Sequence, residues 1–140
     1  MVVEQLSDIS LAIRDAVAPV FLLTGIGAIM SVLTNRLGRA VDRFRRLKEL
    51  DQASLPRALS DELATIALRI RWMRRAIGLC TLSALTVCLS IAVMFVSVNF
   101  AIDLKLAVSA LFIMTMCTLI MGLLCFLREI ALATKEVLNS

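Results

Sequence analysis

The chain has 140 residues, of which 60% are hydrophobic and only 19% charged, with a mean hydropathy of +0.92. A soluble domain of this length is nearer half apolar, with about a quarter of its residues charged, so a water-soluble globular fold is excluded. The charge is also uneven: eleven Lys and Arg stand against five Asp and Glu between Asn35 and Arg75, a net of +6, and the remaining residues carry −2, for +4 in all.

Three stretches contain no Asp, Glu, Lys, Arg or His: Ala16–Asn35, Ala76–Ile102 and Leu106–Leu127. Each reaches the roughly 20 apolar residues that a helix needs to cross a ~30 Å hydrocarbon core. The expected fold is all-α: a single polytopic membrane domain of three transmembrane helices, with a cytoplasmic antiparallel helical hairpin between spans 1 and 2.

In chain order, residues 5–16 place Leu6, Ile9, Ile13 and Ala16 at helical spacing, with Asp8, Arg14 and Asp15 elsewhere. That pattern predicts either an amphipathic helix on the outer membrane surface or one continuous bent helix entering span 1. A cleaved signal peptide would open on a basic segment. Here Glu4, Asp8 and Asp15 oppose Arg14, so the first span, 16–34, is expected to be retained. Pro19 suits its first turn or a bend into it. Beyond the membrane, Leu37, Val41, Phe44 and Leu47 prolong an apolar stripe, which predicts a helix running on to about Leu50. A turn over 51–56 follows, with Ser54 or Ser60 as candidate caps. The return helix carries Leu63, Ile66, Ala67, Ile70, Met73 and Ile77 at 3/4 spacing. It completes the hairpin at 35–75, where Asp42 is spaced to pair with Arg45 and Arg46, and Arg45 with Glu49. Trp72, beside Arg71, Arg74 and Arg75, marks a membrane interface. Span 2 (76–98), a short outer loop, span 3 (106–127) and a tail (128–140) complete the chain.

Positively charged connections are retained in the cytoplasm. The basic hairpin therefore predicts an external N-terminus and a cytoplasmic C-terminus in a plasma membrane. Interleaved acids at helical spacing argue for headgroup contact rather than nucleic-acid binding. The chain lacks histidine and tyrosine, shows no nucleophile elbow or phosphate loop, and holds no charge within its spans. Neither an enzyme nor an ion-coupled transporter is expected, and no cofactor or metal. The four cysteines, Cys80, Cys88, Cys117 and Cys125, fall within spans without CxxC spacing and read as small packing residues.

Small and polar residues form stripes along the spans. In span 1, Thr24, Gly27, Ala28, Ser31, Thr34 and Asn35 recur at i, i+3/4, i+7 and i+10/11. In span 2 the stripe is Cys80, Ser83, Thr86, Ser90 and Ser97; in span 3 it is Thr115, Thr118, Gly122 and Cys125. Such faces let helix backbones approach closely in lipid. A water-filled path lined by hydroxyls is the alternative use. The span 1 residues are the candidates for either role.

The stretch ISLAIRDAVAPVFLLTGIGAIMSVLTNRLGRAVDRFRRL (Ile9–Leu47), above all APVFLLTGIGA and LTNRLGRAVDR, resembles the bacterial membrane family known as domain of unknown function 2721. The resemblance extends over nearly the whole chain and implies the three-span layout and a bacterial inner membrane, without implying an activity. It draws attention to the entry motif, in which Arg36, Arg39, Asp42, Arg43 and Arg46 are candidates for lipid-headgroup contact or for the cytoplasmic mouth of a pore. The expected function is a homo-oligomeric channel for an unspecified ion. The other expectation is a non-conducting scaffold whose basic hairpin binds a partner or anionic lipid.

Overall fold

The computed structural model describes residues 2–51, 57–100 and 103–138. Three helices, α1 (Val2–Asp51), α2 (Arg57–Phe100) and α3 (Lys105–Leu138), account for nearly all of them, and there is no strand among the described residues. Each helix contains a segment long and apolar enough to cross a membrane, with mean hydropathies of 2.2, 2.4 and 2.5. The chain is a multi-pass membrane protein.

The helices are much longer than their spans. At 1.5 Å per residue, the 50 residues of α1 extend about 75 Å, more than twice the hydrocarbon thickness. No break separates residues 5–16 from the first span: α1 is one helix, with Pro19 inside it. Proline removes one backbone hydrogen bond to the preceding turn, a loss that helices in membranes tolerate. Ile9 and Ile13 on this segment are exposed and Ala16 is buried; the side chains of Leu6 and Asp8 lie outside the described residues. The turn predicted over 51–56 begins at the end of α1, and its residues from 52 onward, Ser54 included, are outside the description. Ser60 falls within α2 rather than at its start. At the head of α3, Asp103 Oδ1 accepts the Lys105 N–H (3.3 Å) and the Leu104 carbonyl accepts that of Val108 (3.0 Å). A carboxylate thus satisfies one of the unpaired amides of the first turn.

The chain divides into two compact units. The first comprises Met1–Ile29 and Cys80–Ile120. Its core is polar as much as apolar: Cys80, Ser83, Thr86, Val87, Ser90 and Thr115 are all buried. The hydroxyls close a ring between α2 and α3. Thr115 Oγ1 donates to Thr86 Oγ1 (2.8 Å), Thr86 to the Ser83 carbonyl (2.9 Å), and Ser83 Oγ to the Thr115 carbonyl (3.2 Å). The stripe read on span 2 therefore packs against Thr115 of the span 3 stripe, as expected where lipid removes the hydrophobic drive between helices and leaves close contact and hydrogen bonds to join them. Thr115→Val keeps the shape and removes the donor. It is expected to lower stability to unfolding in detergent by about 0.6 kcal/mol, and at most about 1.7. A loss no larger than that of a variant at the exposed Thr24 would show that the ring contributes nothing.

The second unit comprises Met30–Leu79 and Met121–Ser140. Leu33, Ile66, Met73 and Ala76 are its buried apolar side chains, with Leu37, Val41, Phe44, Leu47, Leu63, Ala67, Ile70 and Ile77 half-buried around them. These are the faces that periodicity assigned to the interior. The unit is not a two-helix hairpin, however. The end of α3 is its third member, tied to α1 and α2 through ion pairs.

Candidate functional site

Glu129 is the most deeply buried charged residue among those described, with 1% of its side chain exposed. It follows span 3 by two residues. An isolated carboxylate removed from water costs several kcal/mol, and here two arginines offset that cost. Arg36 of α1 donates through Nη1 to Oε2 at 3.2 Å. Arg69 of α2 donates to Oε1 through Nη2 at 3.2 Å and Nε at 3.4 Å. Each carboxylate oxygen thus receives its own guanidinium, and one side chain ties three helices together. Arg36 also lies over the Phe126 ring, 5.5 Å from its centroid, a favourable contact between cation and ring face.

This changes the reading of the entry motif. Arg36 was a candidate for headgroup contact, but its guanidinium is engaged inward, with 33% of the side chain exposed. Arg43 pairs with Glu62 of α2, so this residue of the entry motif also has an interhelical partner. The predicted pairs within α1 do not form: Asp42, Arg45, Arg46 and Glu49 are exposed and make no ion pair among the described residues. Arg39, Asp42, Arg43 and Arg46 line one shallow depression on α1. The cysteines divide as well. Cys80 is buried and Cys125 half-buried, but Cys88 and Cys117 are exposed, so packing within the chain accounts for only the first two; all four are free thiols.

The span 1 stripe differs from those of α2 and α3. In the first unit, Thr24, Gly27 and Ala28 are exposed; in the second, Ser31, Thr34 and Asn35 are exposed. The residues of α1 that face inward are instead Ile26 and Leu33, 1% and 0% exposed. A Cβ added at Gly25, Gly27 or Gly38 would meet nothing within 4 Å. None of the six stripe residues serves helix packing within the chain. Thr24 and Thr34 donate their hydroxyl protons to their own helix, at the Val20 (3.2 Å) and Met30 (2.9 Å) carbonyls. Their oxygen lone pairs stay available on the outside. The amide of Asn35 makes no hydrogen bond among the described residues.

Sequence reasoning missed Glu129 because the charge-free span stopped at Leu127. The signal was present as spacing: Thr115, Gly122 and Glu129 are seven apart and share one face of α3, so the buried side of that stripe continues into the carboxylate. Among the described residues, no three His, Cys, Asp or Glu side chains come together to hold a metal.

No curated protein and no solved structure matches the chain. A family model does: it covers residues 16–138 and is described as "Protein of unknown function (DUF2721)", and the chain belongs to that family.

Proposed function

We propose that the chain assembles as a homo-oligomeric membrane channel in which copies of α1 line a central path. The exposure of all six stripe residues of α1 carries this reading, because the corresponding stripes of α2 and α3 are occupied in packing. Within the most apolar windows of the three helices, 11% of α1 is buried in the chain against 28% of α2 and 17% of α3. α1 is thus the helix with most surface left for other copies. Closed rings are the usual way identical subunits satisfy such a face. The Asn35 amide needs water or a polar partner at membrane depth, and an axial path supplies both. Thr24 and Thr34, with their protons committed to the helix, would present acceptor oxygens to a permeating ion, replacing part of its hydration shell.

The basic surplus of residues 35–75 favours a cytoplasmic location for the corresponding part of the second unit, with the N-terminus outside and the C-terminus inside a bacterial inner membrane. Asn35, Arg39 and Asp42 would then form the inner mouth. In this reading the chain performs no catalysis and needs no cofactor. Purified protein in liposomes is expected to pass ions under voltage or membrane tension, and Ser31→Leu or Asn35→Leu is expected to remove most of that flux. Well-folded oligomers that pass none under either stimulus would defeat the channel reading.

One observation favours a second reading, a non-conducting scaffold. Arg39, Arg45 and Arg46 are exposed and unpaired among the described residues, leaving a basic surface for an acidic partner or anionic lipid. That reading predicts a co-purifying partner or lipid lost on neutralising Arg45 and Arg46.

A further inference from the structure

Within the second unit, Trp72 lies beneath two guanidinium groups. Arg75, one turn along α2, is 5.3 Å from the ring centroid, and Arg128 of α3 is 5.8 Å from it. Two positive charges thus repel each other across one shared indole. Cation–π attraction lowers that cost, but an arginine pair is normally balanced by a carboxylate. Neither Arg75 nor Arg128 makes an ion pair among the described residues. The nearest acid in sequence, Glu129, is consumed by Arg36 and Arg69.

The same Trp72 and Arg128 form the polar end of an open groove of about 580 Å³. Its other walls are Met121, Leu124, Cys125, Leu127 and Ala131 of α3, and no acid lines it among the described residues. Met121, Leu124 and Leu127 belong to the apolar span, so the groove runs from membrane-spanning surface to Arg128 and to the indole that Arg75 also meets. Tryptophan is typical of the boundary between acyl chains and headgroups. A soluble anion would use the cations and leave the apolar wall bare; an uncharged lipid would do the reverse.

We propose that this groove is a binding site for one anionic phospholipid, its phosphate held by Arg128, with Arg75 adding positive charge at the shared indole, and an acyl chain laid along Met121, Leu124 and Leu127 beside Trp72. The site uses α2 and α3, apart from the α1 seam, and depends neither on conduction nor on which side of the membrane the second unit occupies.

Trp72 is the chain's one tryptophan, so its fluorescence reports contact with a brominated acyl chain without labelling. The full chain in detergent micelles is titrated with brominated phosphatidylglycerol and, separately, brominated phosphatidylcholine. Half-quenching is expected at a phosphatidylglycerol fraction at least about fivefold lower, the scale of one arginine's attraction to an anionic surface. Unbrominated phosphatidylglycerol is expected to restore emission, and inorganic phosphate to leave it quenched. The R75Q/R128Q variant, with wild-type helix content by circular dichroism, is expected to quench equally with both lipids. Equal half-quenching of the wild type by the two lipids would overturn the site, as would displacement by inorganic phosphate or an unchanged preference in R75Q/R128Q. If R75Q/R128Q loses helix content, R75K/R128K takes its place. It keeps the charge but loses the planar stack on the indole, and a preference undiminished in it would likewise overturn the site.

Discussion

Replacing Glu129 with alanine is expected to destabilise the chain by about 3 kcal/mol or more, the loss seen when one partner of a buried ion pair is removed. The carboxylate is 1% exposed and receives Arg36 and Arg69 on separate oxygens. Without it, two guanidiniums are left side by side with no anion between them. Arg36 and Arg69 keep 33% and 23% of their side chains exposed, so each can swing partly toward water, which holds the loss toward the lower end of the usual ~3–5 kcal/mol. Glu129→Gln retains the volume and an acceptor oxygen and is expected to lose less. The reference is Glu62→Ala. Its pair with Arg43 is much more exposed, 65% and 30%, and such pairs contribute about 0–1 kcal/mol. Unfolding of the three variants in one detergent, followed by circular dichroism, orders them: Glu129→Ala far below Glu129→Gln, and Glu62→Ala near wild type. Equal losses at 129 and 62 would show that the buried carboxylate is not what ties the three helices of the second unit.

The features most legible in the sequence were those written in continuous composition. Three charge-free stretches mark the spans because only helices of that length and apolarity satisfy their backbone in lipid. The inward faces Leu37–Leu47 and Leu63–Ile77 were readable because a 3.6-residue repeat fixes which side chains share a side. The stripe of small residues on α2 likewise lies buried where its spacing put it, from Cys80 to Ser90. Partner choice was far less legible. Asp42 is spaced to meet Arg45 and Arg46 on α1, yet makes no ion pair among the described residues. Arg43 finds Glu62 and Arg36 finds Glu129, 19 and 93 positions away. Local spacing determines which groups can meet along one helix. Burial decides which pairs are strong, because a charge at 1% exposure cannot remain unpaired whereas one in water can. That preference appears only when another helix is brought alongside.

Gly27 separates the two uses of the α1 stripe. An added Cβ at this position meets nothing within 4 Å, and replacing glycine inside a helix with a better helix former gains up to about 1 kcal/mol. Gly27→Leu should therefore leave the isolated chain at least as stable as wild type. In a ring of α1 helices the outcome reverses. Gly27 and Ser31, like Thr24 and Ala28, are four apart, the spacing that lets backbones come together in lipid. A leucine there holds them apart, and overpacking costs about 1–3 kcal/mol at each contact. Every interface in a closed ring repeats the same contact, so the loss multiplies with subunit number. Gly27→Leu is expected to convert the assembly to single chains, read as mass by light scattering in detergent, without loss of helix content or thermal stability. Gly78→Leu is the matched control: Gly78 is exposed on α2 and equally free of neighbours, and its variant should assemble as wild type does. A wild type that is itself a single chain, or a Gly27→Leu assembly of unchanged mass, would leave the α1 stripe facing lipid alone and remove the basis for an axial path.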